Sequence, residues 1–325
     1  VKNTARSKPT ASLSLDLDNK WSYLKTYGDP RWSEHPSYLD VVVPHSLKVL
    51  DDLDLTITYF IVGQDAAIDS NQAGLRSIAD AGHEIGNHSF HHEPWLHLYS
   101  DDELYEELRA AQKHIERATG ERPIGFRGPG FSISEQTLNT LLDIGIEYDC
   151  STFPTFIGPL ARAYYFWTSK LSEEQKEDRK ILFGTMREGM RSLNPYYWQL
   201  EDRQILEIPV TTIPIIRSPF HVSYLLFLLR VSELLALSYF RFALEMCRMR
   251  GVEPSLLLHP LDFLGGDDDN DLAFFPAMDL PGQKKRKFVR RVLEIYQSHF
   301  DVVTMQEHAS RISRTSEISH QAFLV

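Results

Sequence analysis

Ala11–Leu17 reads ASLSLDL, an apolar alternation that ends in an acidic residue and runs on into Asp18 and Asn19. Such a run is a strand, and its two carboxylates sit at its C-terminal end. The same pattern recurs along the chain. Leu55–Val62 (LTITYFIV) is β-branched and aromatic-rich, a buried strand followed by Gly63. His83–Ser89 (HEIGNHS) is a short strand opening into a polar loop, and Ile124–Arg127 precedes the turn Gly128-Pro129-Gly130. Ile146–Asp149, Ile205–Ile213, Ser255–Leu258 and Asp301–Thr304 complete the series. Helical segments lie between them. Leu39–Leu53 has apolar residues at helical spacing, and Gln72–Ala81 is stopped by Gly82. Ser100-Asp101-Asp102-Glu103 opens a helix that runs to Thr119, Ser134 caps another, and a last one covers Lys284–His299.

Alternating β and α units imply a parallel sheet, and about seven or eight of them close, or nearly close, a barrel. The fold expected is therefore an α/β, distorted (β/α) barrel with about seven parallel strands, forming one domain over residues 1–325. The rhythm breaks over residues 152–204. That stretch is rich in Tyr, Phe, Trp and Pro, and it reads as an insertion over one face.

Composition narrows the function. Of the 325 residues, 42% are hydrophobic and 24% charged, so a sizeable core is available. The net charge of −11 and the shortness of the one basic run, Lys284-Lys285-Arg286-Lys287, disfavour a nucleic-acid partner. The two cysteines, Cys150 and Cys247, belong to no CxxC pair, which argues against a zinc ribbon or a disulfide scaffold. The first residues carry no apolar core of signal-peptide length, so the expected location is cytoplasmic. One segment qualifies that expectation. Tyr224–Leu244 is strongly apolar and is read as one long helix, interrupted only by Arg230, Glu233 and Arg241. On such a helix the three charges fall within an arc of about 140°, leaving more apolar surface than a core-facing stripe of about 100° needs. The first reading is a long buried helix, its excess apolar surface covered by the aromatic insertion or a second subunit; the sharper alternative is peripheral membrane contact through 224–244, or a groove that takes lipid.

Polar clusters sit at the strand ends, where barrels carry their functional residues. They are Asp16 and Asp18, His88 to His92, Arg127 to Gly130, Asp149, and His259 after Leu256–Leu258. Each alone is weak evidence. Together they supply a hydrolytic metal site, which needs imidazole nitrogens, a carboxylate oxygen and an open position. His88 and His92, four apart, converge on one ion if their loop turns helically. One carboxylate of Asp16 and Asp18 completes the set, and the other is free to take a proton from water. His259 can protonate a leaving amine, with Arg127 and Asp149 supporting these groups from behind.

At this point the sequence resembles the polysaccharide deacetylases of carbohydrate esterase family 4. Their ordered motifs match from Ser14 to Asp262, through Asp16-x-Asp18, His88-Ser89-x-x-His92, Arg127-x-Pro129, Asp149 and Leu256-x-Leu258-His259. The separated D-x-D resembles the branch that includes lipid-linked-sugar deformylases and allantoinase-like relatives. The resemblance implies a distorted barrel in which Asp18, His88 and His92 hold one divalent metal, zinc by preference, with cobalt or manganese as alternatives. It implies that Asp16 is the base, held by Arg127, and that His259 is the acid, tuned by Asp149. The Gly130 N–H would bind the oxyanion. Phe153 stands where the family usually has Trp, in the wall of the acyl pocket, and His91 is the rival ligand.

The activity implied is hydrolysis of the N-acyl, foremost N-acetyl, amide of an amino sugar in a polysaccharide or lipid-linked glycan. Tyr164, Tyr165, Trp167, Tyr196, Tyr197 and Trp198 could then stack on sugar faces. The alternatives are a deformylase or ureide amidohydrolase on the same scaffold, and an inactive glycan-binding module.

Overall fold

The computed structural model describes residues 8–156, 188–314 and 318–322. Tyr164, Tyr165 and Trp167 lie outside the described residues. The strands are β1 (Thr10–Leu17), β2 (Thr58–Ile61), β3 (Glu84–Asn87), β4 (Gly125–Phe126), β5 (Tyr148–Asp149), β6 (Tyr196–Leu200), β7 (Arg203–Glu207), β8 (Ser255–Leu258), β9 (Asp301–Val303) and β10 (Ser319–Ala322). They form one sheet in the order β10-β6-β7-β5-β4-β3-β2-β1-β8, with β9 against the start of β1. From β7 through β5, β4, β3, β2 and β1 to β8 every neighbour is parallel, which makes the seven expected strands. The chain beyond β7 then bends toward β8. The Thr211 N–H donates to the Ser255 carbonyl at 3.1 Å, and the Ser255 N–H to Thr211 Oγ1 at 2.8 Å. These bonds draw the two edges together in the manner of a distorted barrel.

The helices are α1 (Lys20–Tyr27), α2 (Leu39–Asp51), α3 (Gly63–Ala67), α4 (Asp69–Asp80), α5 (Asp101–Thr119), α6 (Glu135–Asp143), α7 (Val222–Leu229), α8 (Glu233–Arg250), α9 (Gly282–His299) and α10 (Met305–Ser313). Their ends follow the sequence signals. Ser100 and Glu103 form a reciprocal capping box on α5, and Gly120 closes it in the left-handed conformation that glycine adopts without a Cβ penalty. The buried face of α5 (Leu104, Leu108, Ala111, Ile115) recurs every three to four residues, as helical packing requires. Two of the four basic residues at the start of α9 turn inward. Lys285 donates to the Leu261 carbonyl at 2.9 Å, and Arg286 donates to the Phe263 carbonyl and to Asp268, both at 2.8 Å.

Two expectations are corrected here. The stretch 152–204 is not insertion throughout, because Tyr196–Leu200 is a strand paired antiparallel with β7. Tyr196, Trp198 and Leu200 are buried in a core cluster with residues of α5 and α6. Their alternation with Tyr197 and Gln199 is the period of a strand, hidden in the sequence because both faces carry aromatic residues. The second correction concerns Tyr224–Leu244, which is two helices. α7 ends at Leu229, and Ser232 accepts from the Leu235 N–H to cap α8. The arc of charges computed on a continuous helix therefore does not exist. Among the described residues no helix is long and apolar enough to cross a membrane.

Candidate active site

Asp18 follows β1 and His88 follows β3, so the two strands that flank β2 deliver the first two candidate ligands. His92 reaches the same point through a bent loop rather than the helical turn expected. Ser89 and His92 both have left-handed backbone (φ 61° and 53°), a conformation that costs about 1–3 kcal/mol per residue unless its surroundings enforce it. Here they do. The Asn87 side chain accepts from the Ser89 N–H (2.9 Å) and donates to the Leu108 carbonyl (3.1 Å). Glu107 Oε1 accepts from the N–H groups of Phe90 and His91, at 2.9 and 2.7 Å.

The result is a tight cluster. Nε2 of His92 and Nε2 of His88 lie 3.0 and 3.3 Å from the same oxygen, Asp18 Oδ1. His88 Nδ1 lies 2.6 Å from the Arg127 carbonyl; donating there, the ring turns Nε2 toward Asp18. One ligand atom from each of the three residues falls within 4.8 Å of the others. Ligands about 2.0 Å from a tetrahedral zinc would stand about 3.3 Å apart, so a small divalent cation fits with little movement. Burial would raise the Asp18 carboxyl, but His92 and His88 together hold it well below the ordinary carboxylate range. Burial would likewise lower His88, and Asp16 and Asp18 outweigh it to raise the imidazole above its usual value. His91 is set apart, with its half-exposed ring on Glu107 Oε2 at 2.6 Å.

Asp16 stands one pleat before the ligand Asp18. It is buried, and its Oδ1 accepts from Arg127 Nη1 at 2.6 Å. Arg127 is wholly buried. It also donates to Ser14 Oγ (2.8 Å) and the Cys150 carbonyl (3.1 Å), and its guanidinium lies over the Phe60 ring at 4.4 Å. A carboxylate held this way is fixed in orientation by a charge-assisted hydrogen bond. The turn that follows requires its glycines. A Cβ on Gly128 would come 2.2 Å from the Ser132 carbonyl oxygen, and Gly130 takes a φ of 59° on the exposed side.

Across the sheet, His259 follows β8. Its own N–H donates to Asp262 Oδ2 at 2.8 Å. Ser223 Oγ donates to Asp262 Oδ1 at 2.8 Å and lies 3.2 Å from His259 Nδ1, which completes an Asp262–Ser223–His259 relay and leaves Nε2 free of it. Asp149, expected to tune His259, is engaged elsewhere. It accepts from Ser151 Oγ at 2.6 Å and lies within interaction distance of Glu207. The carboxylate that supports His259 is therefore Asp262. An aromatic wall adjoins it. Phe153, at the expected Trp position, stacks on Phe131 (4.9 Å) and packs on His221 (5.4 Å), whose ring is 5.9 Å from that of His259. Burial, with His259 and Arg127 adding to it, holds His221 well below the usual imidazole range, so it is neutral.

Sequence reading missed Ser223, His221, Glu107 and Glu207. Ser223 and His221 belong to the apolar run whose hydrophobicity drew the attention. Glu107 is a buried acid on the apolar face of an otherwise amphipathic helix, a signal that could have been read.

The family model for polysaccharide deacetylase matches residues 33–148, which include His88, His92 and Arg127. A peptidoglycan deacetylase of Helicobacter pylori is 29% identical over 200 residues, 59% of this chain and 66% of the relative's length. The chain thus spans just under two thirds of that relative. A Mycobacterium smegmatis protein described as a candidate polysaccharide deacetylase superposes over 100% of this chain and 96% of its own, with a TM-score of 0.65 at 19% identity. The PuuE allantoinase structure superposes over 96% of this chain and 93% of its own, with a TM-score of 0.55 at 16% identity. At such identities the two structures speak for the fold. Over residues 33–148, and in the order of its motifs, the chain is thus similar to the polysaccharide deacetylases.

Proposed function

We propose that the chain removes the N-acetyl group from an amino sugar of a polysaccharide, with glycan strands of the peptidoglycan type as the first substrates to try. The observation that carries the reading is the convergence of His88 and His92 on Asp18 Oδ1, beside an Asp16 held by Arg127. The similarity to a peptidoglycan deacetylase supports the choice of glycan.

Asp18, His88 and His92 would hold one divalent cation, zinc first among the candidates for a two-imidazole, one-carboxylate set. Such a cation acts as a Lewis acid on the amide carbonyl and on the attacking water. The remaining work falls to the chain. Asp16 accepts the proton of the water as it attacks, and Arg127 keeps that carboxylate aimed. The Gly130 N–H, on its exposed left-handed turn, donates to the carbonyl oxygen as it gains charge; loss of one such donor costs about 3 kcal/mol in comparable sites. His259 gives its proton to the departing amine, while Ser223 and Asp262 hold the other face of the ring. Phe153 and Phe131 form an apolar wall that suits a methyl group.

The test is an amine-release screen of metal-reconstituted protein on N-acetyl and N-formyl amino sugars, as free oligosaccharides and lipid-linked. Release from N-acetylated glycan alone supports the reading. Preference for the N-formyl compounds replaces it with a deformylase, and no release from any of them removes it.

A further inference from the structure

Behind the Arg127–Gly130 turn lies a buried polar chain that the roles above leave unused. On β6, Trp198 donates Nε1–H to Glu207 Oε2 at 3.0 Å. Thr152 donates both its N–H (3.0 Å) and its hydroxyl (2.6 Å) to Glu207 Oε1. Glu207, the last residue of β7, is in register with Asp149 on the neighbouring strand β5, and their buried carboxyl groups lie within interaction distance of each other. Asp149 accepts from Ser151 Oγ at 2.6 Å, and Ser151 Oγ accepts from the Gly128 N–H at 2.7 Å. The path thus runs without a break from β6 to the turn that carries Arg127 and Gly130.

Both carboxyl groups are wholly buried. Two carboxylates in contact in a dry interior cannot both stay ionised, so one proton must lie between them. The charges around them do not change that. Arg127 is the cation that faces Asp149, and its hydrogen bonds go to Asp16, Ser14 and Cys150. Cys150 and Tyr196 face Glu207 in neutral form, because burial holds both above their usual range. Glu84 acts on Cys150 from β3, and Arg191 lies beyond, over the Trp198 ring. Burial and then Asp149 push Glu207 well above the ordinary carboxylate range, and burial raises Asp149 as well.

We propose that Glu207 is a positioning residue: sharing one proton with Asp149, it holds Ser151 against the Gly128 amide and so fixes the turn that presents Arg127 and Gly130. Loss of that proton at alkaline pH sets two buried carboxylates against each other, and the turn loosens. The kinetic part of this inference rests on the deacetylase reading; the shared proton does not.

The experiment uses the full chain, metal-loaded, with E207Q and E207L. The wild type should lose kcat at alkaline pH; glutamine keeps a carbonyl for Thr152 and offers a permanent N–H to Asp149 in place of the Trp198 bond, so E207Q should lack that alkaline fall. E207L removes the link and should lower kcat on the order of 10²-fold, with KM and metal content changed less than about twofold. Infrared difference spectra at neutral pH should show a protonated-carboxyl band in the wild type that E207Q lacks. The proposal is overturned by an unchanged band, by an unchanged alkaline limb in E207Q, or by E207L with wild-type kcat. If E207L does not fold, E207Q and its band decide. If the wild type hydrolyses no amino sugar yet the band vanishes in E207Q, the deacetylase reading fails and the shared proton stands.

Discussion

On the β1–β3 side of the site, all three candidate ligands come from two short segments, Asp18 after β1 and His88 with His92 after β3. The main chain of the second segment is held by Asn87 within it and by Glu107 of α5, the next helix in the chain. On the β5–β8 side the supports come from far apart in sequence. His259 is reached by Ser223, 36 residues earlier, and Asp149 by Glu207, at the end of another strand. The first side is a motif that a few residues specify. The second is assembled by packing, so each of its groups can be weakened without removing the site. Substitutions on the first side should accordingly abolish function, and those on the second should grade it.

The largest effect expected is on the metal. His92→Ala or Asp18→Asn should lose both metal and turnover, whereas His91→Ala should keep both, since that ring is bound to Glu107. Metal analysis of the purified variants checks this, and full occupancy in the His92 variant would overturn the ligand set. Asp16→Asn sharpens the comparison within one strand. It should retain the metal and lose roughly 10²–10⁴ in kcat, because a base has gone but no ligand has.

A smaller effect is expected on the other side. Ser223→Ala breaks the relay to His259 while leaving the Asp262 bond to the His259 N–H, so kcat should fall about tenfold with metal content unchanged. An equal loss of metal would show that the two sides are not separable in this way.

The pH dependence should separate apo from loaded protein. Without metal, His88 holds its proton more tightly when folded than when unfolded, so its contribution to stability is complete below about pH 6.5 and is lost as the pH rises through its raised value. Asp18, depressed in the fold, contributes above about pH 4 and loses that contribution on acidification. Metal binding runs the other way across the His88 range, since the ligand must be deprotonated, so affinity should rise with pH there. Thermal unfolding with chelator and with zinc, from about pH 5 to 8, measures both trends; identical slopes would contradict them.

The smallest effect concerns a surface away from the site. Val231, Leu234, Leu235, Phe242 and Met249 remain exposed on and beside α8, with Arg241 and Arg248 on the same helix. A weak association with anionic liposomes is expected, lost in a Leu234→Glu, Leu235→Glu variant with turnover of a soluble substrate unchanged. Absence of binding by the wild type would show that this surface has no lipid role.

Much of this was legible in the residues themselves. The alternation of apolar runs with capped helices determined the parallel sheet, because strand and helix periods and caps such as Ser100 and Ser134 act over a few residues. The order of Asp16, Asp18, His88, His92, Arg127 and His259 determined the candidate chemistry, since each stands at the C-terminal end of its strand. What the tertiary structure decided was partnership. It broke Tyr224–Leu244 at Ser232, put Tyr196–Leu200 into the sheet, gave His259 to Asp262 through Ser223, and turned Asp149 toward Glu207. Those outcomes depend on which strands become neighbours and which side chains share a buried space. No short-range period in the sequence encodes that, and it is resolved only when distant segments compete to satisfy the same buried polar groups.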